Sequence, residues 1–200
     1  MNTITTILTT EAVFSDDGLK RYLLEKSFDD SKPKMAVIML APSEASGIEL
    51  DTTTQLVLNN SSRLGYGSVA ILNLFATLND FNLRQSEDQD TDNLNIILSA
   101  VQDADCVVYA PGTGKIKNRK FQERQKQVLN TLRPFEDKLH CLCNEDGDAR
   151  LQHPLSHAVR TWSLSPLKIS ELIPEPQQNK PDIKIKGRPK VTKKRTRYVR

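Results

Sequence analysis

Four short apolar runs, each followed by a segment of helical periodicity or by the end of the domain, constrain this chain more than any other feature. They are Met35 to Leu40, Val69 to Leu72, Cys106 to Ala110 and Leu139 to Cys143. A run apolar at every position reads as a strand covered on both faces, as in a parallel sheet. The first stops at Ala41-Pro42-Ser43 and the third at Pro111-Gly112-Thr113-Gly114. Between the runs, Leu56, Leu58 and Leu64 suggest a helix that Asp51 or Thr52 would cap and Gly65 would end. Leu94, Ile97, Leu98 and Val101 mark a second helix, and Phe121, Gln125, Val128 and Leu132 a third. Upstream, Ala12 to Ser15 and Tyr22 to Leu24 flank Asp16-Asp17-Gly18, the pattern of a β-hairpin. Strands alternating with helices predict an α/β fold of three layers, α/β/α, with a mostly parallel central sheet and an N-terminal hairpin.

The chain has 200 residues, enough for one substantial core. The expected domain is residues 1–172. Residues 173–200 are a Pro-containing linker and basic tail whose composition predicts disorder. The net charge of +3 combines two unequal parts. Lys180 to Arg200 holds ten Lys or Arg against Asp182, giving +9, and the remaining 18 basic and 24 acidic residues give −6. An acidic body does not attract a polyanion, so any nucleic-acid contact by charge falls to the tail. No apolar run is long enough to cross a bilayer, and the N-terminus lacks the layout of a secretory signal. Three cysteines in apolar segments, Cys106, Cys141 and Cys143, suit reduced thiols. The expectation is a cytoplasmic, nucleoid-associated protein without a membrane segment.

Lys186-Gly187-Arg188-Pro189-Lys190 resembles the core of an AT-hook. Gly187 permits close backbone approach, Pro189 keeps the chain extended, and Arg188 suits a narrow A·T-rich minor groove. Lys186 and Lys190 are the basic flanks of that core, and Lys193, Lys194, Arg195 and Arg197 would contact phosphates. DNA is therefore the expected partner, beside the alternatives of a solvated tail that aids solubility or of nonspecific RNA contact.

Several body segments together resemble a bacterial and phage family catalogued only as a domain of unknown function, number 1643. They are Phe14-Ser15-Asp16-Asp17-Gly18 with Arg21-Tyr22, Met39 to Ala45, Asp51-Thr52-Thr53, Gly65-Tyr66-Gly67, Asn73-Leu74-Phe75-Ala76 and His153-Pro154-Leu155. The family typically carries Asn-Pro-Ser after its first strand, where this chain has Ala41-Pro42-Ser43. A fainter likeness is to the uracil-DNA glycosylase superfamily, through the order Leu40-Ala41-Pro42-Ser43, Ile71-Leu72-Asn73 and His153-Pro154-Leu155-Ser156. That likeness implies base-binding residues Pro42, Asn73 and Phe75, with Asn73 reading the polar edge of an extruded base. It implies catalytic residues Ser43, Asp51 and His153, with His153 stabilising negative charge on the departing base and Ser156 near phosphate. Ala41 cannot position water, and this weakens catalysis more than binding.

Other readings stay open beside this one. The protein can be a non-enzymatic DNA-binding accessory factor anchored by its tail, or an enzyme acting on a free nucleotide. Pro111 to Lys115 is not a phosphate loop, since the first glycine is missing and Ile116 stands where Ser or Thr would bind magnesium. Lys115, Lys117, Arg119, Lys120, Arg124 and Lys126 form a basic patch that would be a second phosphate surface or a solvated helix face. His140, Cys141, Cys143, His153 and His157 do not have zinc-site spacing, so no metal or cofactor is expected. Trp162, among Leu164 and Leu167, is assigned to the core.

Overall fold

In the computed structural model, residues 1–43, 47–87, 90–144 and 151–173 are described. The elements are β1 (Thr9–Phe14), β2 (Arg21–Ser27), β3 (Lys34–Met39), α1 (Thr52–Arg63), β4 (Ser68–Asn73), α2 (Thr91–Asp103), β5 (Cys106–Tyr109), α3 (Arg119–Leu132), β6 (Leu139–Cys143) and β7 (Ser163–Pro166), with short 3-10 turns at Arg133–Lys138, His157–Val159 and Ile169–Glu171. The tail, including the AT-hook-like segment, lies outside the described residues.

One seven-stranded sheet runs in the order β1-β2-β4-β3-β5-β6-β7. The four apolar runs form its parallel centre, with β3 paired to β4 and β5, and β5 to β6. The expectation of a mostly parallel sheet needs correcting. The hairpin β1–β2 joins β4 antiparallel, and β7 joins β6 antiparallel, so three of the six pairings are antiparallel. Strand β7 (Ser163-Leu164-Ser165-Pro166) has too little hydrophobic patterning to announce itself, and it is held by backbone pairing at the sheet edge.

Side chains alternate between the two faces of the sheet. Ala36, Ile38, Ala70, Leu72, Val107 and Tyr109 face α2 and α3, where Ile97, Val101, Phe121 and Val128 complete a core. Met35, Val37, Val69, Ile71 and Val108 face the other way, against Val57, Val159 and Trp162. That second face is covered by α1 and the segment around Trp162 rather than by a full layer of helices, so the three-layer description also needs narrowing. Helix α1 buries Thr54, Val57, Asn60 and Ser61 instead of its leucines. The reason is Asn60, which accepts from the Trp162 amide at 3.0 Å and donates to the Arg160 carbonyl at 3.2 Å. A polar residue on the helix thus fastens the chain that covers it.

Two glycines of the Gly65-Tyr66-Gly67 motif serve this architecture. Gly65 has φ +90 just past α1, the left-handed position where glycine ends a helix without strain. At Gly67 a Cβ would fall 1.8 Å from the Asp29 carbonyl oxygen, so no side chain fits between β4 and the turn before β3.

Candidate functional site

The chain leaves β3 for β4 on one side and, after crossing to β5, moves on to β6 on the other. The crevice between the ends of β3 and β5 is therefore a topological switch point, where open α/β sheets leave room for ligands. A cavity of about 360 Å³ opens there, walled by Leu40, Ala41 and Ser43 after β3, by the start of α1, and by Pro111 and His153. Phe81 stands at its mouth, about half exposed, and also lines an adjoining outer groove of about 550 Å³ along Gly112 to Lys115 and Ser156.

Asp51 is both cap and wall. One carboxylate oxygen accepts from the Thr54 amide at 2.7 Å, and the other accepts from the Ser43 hydroxyl. Burial pushes this carboxyl up, but the hydrogen bonds from Ser43 and Thr54 and the nearby Arg21 guanidinium hold it below its ordinary value. It is ionised at neutral pH. Arg21, only 2% exposed, reaches the cavity from the first position of β2 and donates to the Ser43 carbonyl at 3.2 Å. Its own amide is tied to the Ala76 carbonyl at 2.9 Å, which fixes the strand end from which the guanidinium projects.

His153 faces the same space. Its Nδ1 accepts from the Leu155 amide at 3.2 Å, so in the neutral ring Nε2 carries the proton and is a donor. Burial pushes the imidazole below its ordinary 6.5, with Asp51 acting in the opposite direction. The ring is therefore neutral at pH 7. Because the unfolded chain takes up this proton first, the histidine's contribution to stability is present above pH about 6.5 and is lost as pH falls through the lowered folded value. The expected result is an NMR titration midpoint for the His153 ring below that of a free histidine. A His153→Gln variant should lose less stability between pH 7 and 5 than the parent.

Ser43, Asp51 and His153 line one cavity, and the structure adds Phe81 together with Arg21, Thr52 and Thr53, which stood in the family motifs but not among the expected site residues. The base-binding candidates sit elsewhere. Pro42 is buried and supports the Phe81 loop, its carbonyl accepting from Asn79 at 2.9 Å. Phe75 is in the core on the α2 and α3 face. Asn73, at the end of β4, is 1% exposed and does not line the cavity. It alternates with Ile71 on the α1 face, and its Nδ2 has no hydrogen-bond partner among the described residues. Ala41, the departure from the family pattern, does line the cavity. The Phe81 loop is held by Asp80, which accepts from the amides of Arg84, Gln85 and Ser86 at 2.7–2.8 Å.

The basic patch beyond Gly114 is in part a surface, with Lys117, Arg119 and Lys126 exposed, and in part engaged within the fold. Arg124 is fully buried, Lys120 donates to the Leu83 and Ser86 carbonyls, Arg119 pairs with Glu123, and Lys115 reaches Asn82. Trp162 is buried at 2% exposure, in the core as expected. The three cysteines are buried and unbridged. Among the described residues no cluster of three His, Cys, Asp or Glu side chains is placed to hold a metal, and no helix is long and apolar enough to cross a membrane.

No curated protein and no solved structure matches the chain. One family model does, described as a protein of unknown function (DUF1643), over residues 21–155. The matched segment starts at Arg21 and ends at Leu155, both of which line the cavity, and leaves out β1, β7 and the tail. The chain belongs to the DUF1643 family, and every residue of the cavity wall named above lies within the segment that matches it.

Proposed function

We propose that this protein is a DNA-associated, nucleobase- or nucleotide-binding protein whose cleft receives a single base while its basic tail holds the polymer. The observation that carries the reading is the convergence of Arg21, Ser43, Asp51 and His153 on one cavity at the switch point. Its volume of about 360 Å³ sits at the small end of ligand pockets, fitting one base or mononucleotide. Charge narrows the choice further. One guanidinium faces one carboxylate beside a neutral imidazole, and Asp51 already occupies the α1 N-terminus where a phosphate would otherwise gain most. Such a balanced wall favours a neutral heterocycle offering donors and acceptors over a polyphosphate. Phe81 at the mouth gives such a ring an aromatic face.

This reading places the protein in the cytoplasm, on the nucleoid, and does not rest on the likeness to uracil-DNA glycosylases, which calls for Asn73 and His153 on one cleft, whereas only His153 lines it. Base excision is the second reading, favoured by the ionised Asp51 on the cavity wall and the neutral donor His153. Water would add to the sugar C1′ as the C1′–N bond breaks with its electron pair on the base, and the proton the water loses would end on the departed base, giving the free neutral base and the C1′ hydroxyl. Asp51 would stabilise the cationic sugar, and the His153 Nε2–H would stabilise the base anion. Ala41 leaves that loop without the Asn that the resemblance implies there.

Equilibrium dialysis of nucleobases and deoxynucleosides against the full chain tests binding, and release of free base from DNA with modified bases tests excision. His153→Ala should weaken binding about tenfold, the worth of roughly one hydrogen bond in a dry site. Ala41→Asn should raise base release if the cleft is an excision site. Binding without release by either protein would identify an accessory role, and no binding of any base would refute the proposal.

A further inference from the structure

The two edges of the sheet are not alike. Strand β7 is four residues long and ends in Pro166, which has no amide to donate, so its outer side offers little to a further strand. Strand β1 pairs with β2 alone, and neither proline nor a basic side chain interrupts it. Upstream, residues 1–8 carry no charged side chain, glycine or proline, and residues 3–8 are Thr and Ile, both strand formers, with one Leu. The hairpin register ends at Thr9 opposite Ser27, so this segment continues β1 past the last residue that β2 can pair. Ile4, Ile7 and Leu8 are exposed, at 86%, 77% and 47%. A groove lined by Thr5, Thr6 and Ile7, and by Phe28, Asp29 and Asp30, separates the segment from the turn that follows β2. Natural sheets blunt such an edge with charge, proline or cover. Between Thr3 and Thr9 none of the three is found among the described residues.

We propose that this edge is an interface between two copies of the chain, which pair residues 3–13 antiparallel about a two-fold axis and join their sheets into one. A two-fold axis normal to the sheet keeps every side chain on its own face, so it must pass where a residue opposes its own copy. Thr10, whose hydroxyl accepts from Lys26 at 2.8 Å, and Ala12 lie on the α1 face, and the alternation of β1 continued upstream puts Ile4, Thr6 and Leu8 there as well. With Leu8 opposite the partner's Leu8, Ile4 meets the partner's Ala12 and Thr6 the partner's Thr10. Glu11 then falls opposite Thr5, far from the other Glu11. Registers centred closer to Glu11 set Ile7 against a carboxylate or bring the two carboxylates diagonal to one another. A foreign partner would have to bring an uncharged extended strand of its own, whereas a second copy supplies one. The inference does not depend on what the cleft binds.

Sedimentation velocity of the full chain should show a species of twice the mass of one chain, dissociating on dilution. Leu8→Lys sets two like charges in direct opposition and should raise the dissociation constant at least about a hundredfold, and Leu8→Glu should do the same. An equimolar mixture of the two variants puts opposite charges face to face and should restore a dimer to within about tenfold of the parent's affinity. Amide hydrogen exchange should be slowed from Ile4 to Thr9 in the parent and in the mixture, and in neither variant alone. Leu8 lies outside every helix and strand, so both variants should keep the parent's circular dichroism. A monomeric parent would overturn the proposal, including one whose β1 edge is protected from exchange by another segment of the same chain. So would a dimer that survives Leu8→Lys, or a mixture that stays monomeric.

Discussion

Removing residues 180–200 should lower affinity for duplex DNA at least a hundredfold near 50 mM salt, and should abolish most of the salt dependence of binding. The deleted segment carries +9 and what remains carries −6, so the truncated chain would be repelled by a polyanion. If six of the ten basic side chains contact phosphates, the intact protein should lose roughly a thousandfold in affinity between about 50 and 200 mM salt. Replacing only Arg188 by alanine separates two kinds of contact. Minor-groove recognition predicts a selective loss on A·T-rich duplexes, while simple phosphate contact predicts a small, uniform loss. Fluorescence anisotropy with A·T-rich and G·C-rich duplexes over a salt series measures both. Equal affinity of the intact and truncated chains would remove the tail from the account.

Arg124→Met should destabilise the fold by about 3 kcal/mol, lowering the melting temperature by roughly 6–12 °C. The guanidinium is fully buried. It donates to the Leu74 carbonyl at 2.8 Å, the Asp90 carbonyl at 3.2 Å and the Gln127 side chain at 2.6 Å. Those bonds join the end of β4 to the cap of α2 and to α3. Methionine keeps the volume but leaves the Asp90 carbonyl without this donor in a dry environment, and the Leu74 carbonyl with only the 3.1 Å bond from Asn93. Burial pulls the guanidinium down from its ordinary value, partly offset by Asp90, and it remains cationic. By contrast, Arg119→Ala removes an exposed pair with Glu123 and should change stability by less than about 1 kcal/mol. Thermal unfolding of the two variants gives the comparison. An Arg124→Met protein of unchanged stability but weaker DNA binding would restore the basic patch as an interface.

Arg124 also shows where sequence reading reaches its end. Its spacing within a run of Lys and Arg looked like a surface stripe, yet it shares a helix face with Phe121 and Val128 and points inward. Composition cannot distinguish a charge that clamps carbonyls from one that awaits phosphate. The parallel centre of the sheet was legible because strands buried on both faces must be apolar throughout. Asp51 as a cap was legible for a local reason, the carboxylate three residues before an amide that needs an acceptor. Strand β7 was not, because an edge strand is held by backbone pairing that leaves little trace in side chains.

The site divides along the same line. Ser43, Asp51 and His153 were found from strand-end and loop motifs, and they do meet. Arg21 stood in a family motif but was not expected at the site, because a charged residue opening a hairpin strand is ordinarily solvated, and only the pairing of β2 with β4 carries it into the cleft. Phe81 lies in a loop whose shape depends on the Asp80 carboxylate gathering three amides, with Asn79 and Leu83 at φ 57 and 58. Such local order has no periodic signature. Asn73 was chosen for its place at a strand end, and its side chain is buried and does not line the cavity.

The most direct test of the central claim is an NMR titration of the isotope-labelled full chain with the four deoxynucleoside monophosphates, following the His153 ring and the Ser43, Thr52 and Thr53 amides. The account predicts that at least one of them shifts these signals together and saturably, with the effect lost in His153→Ala. No shift at the cleft with any of the four, or shifts confined to the tail, would contradict it.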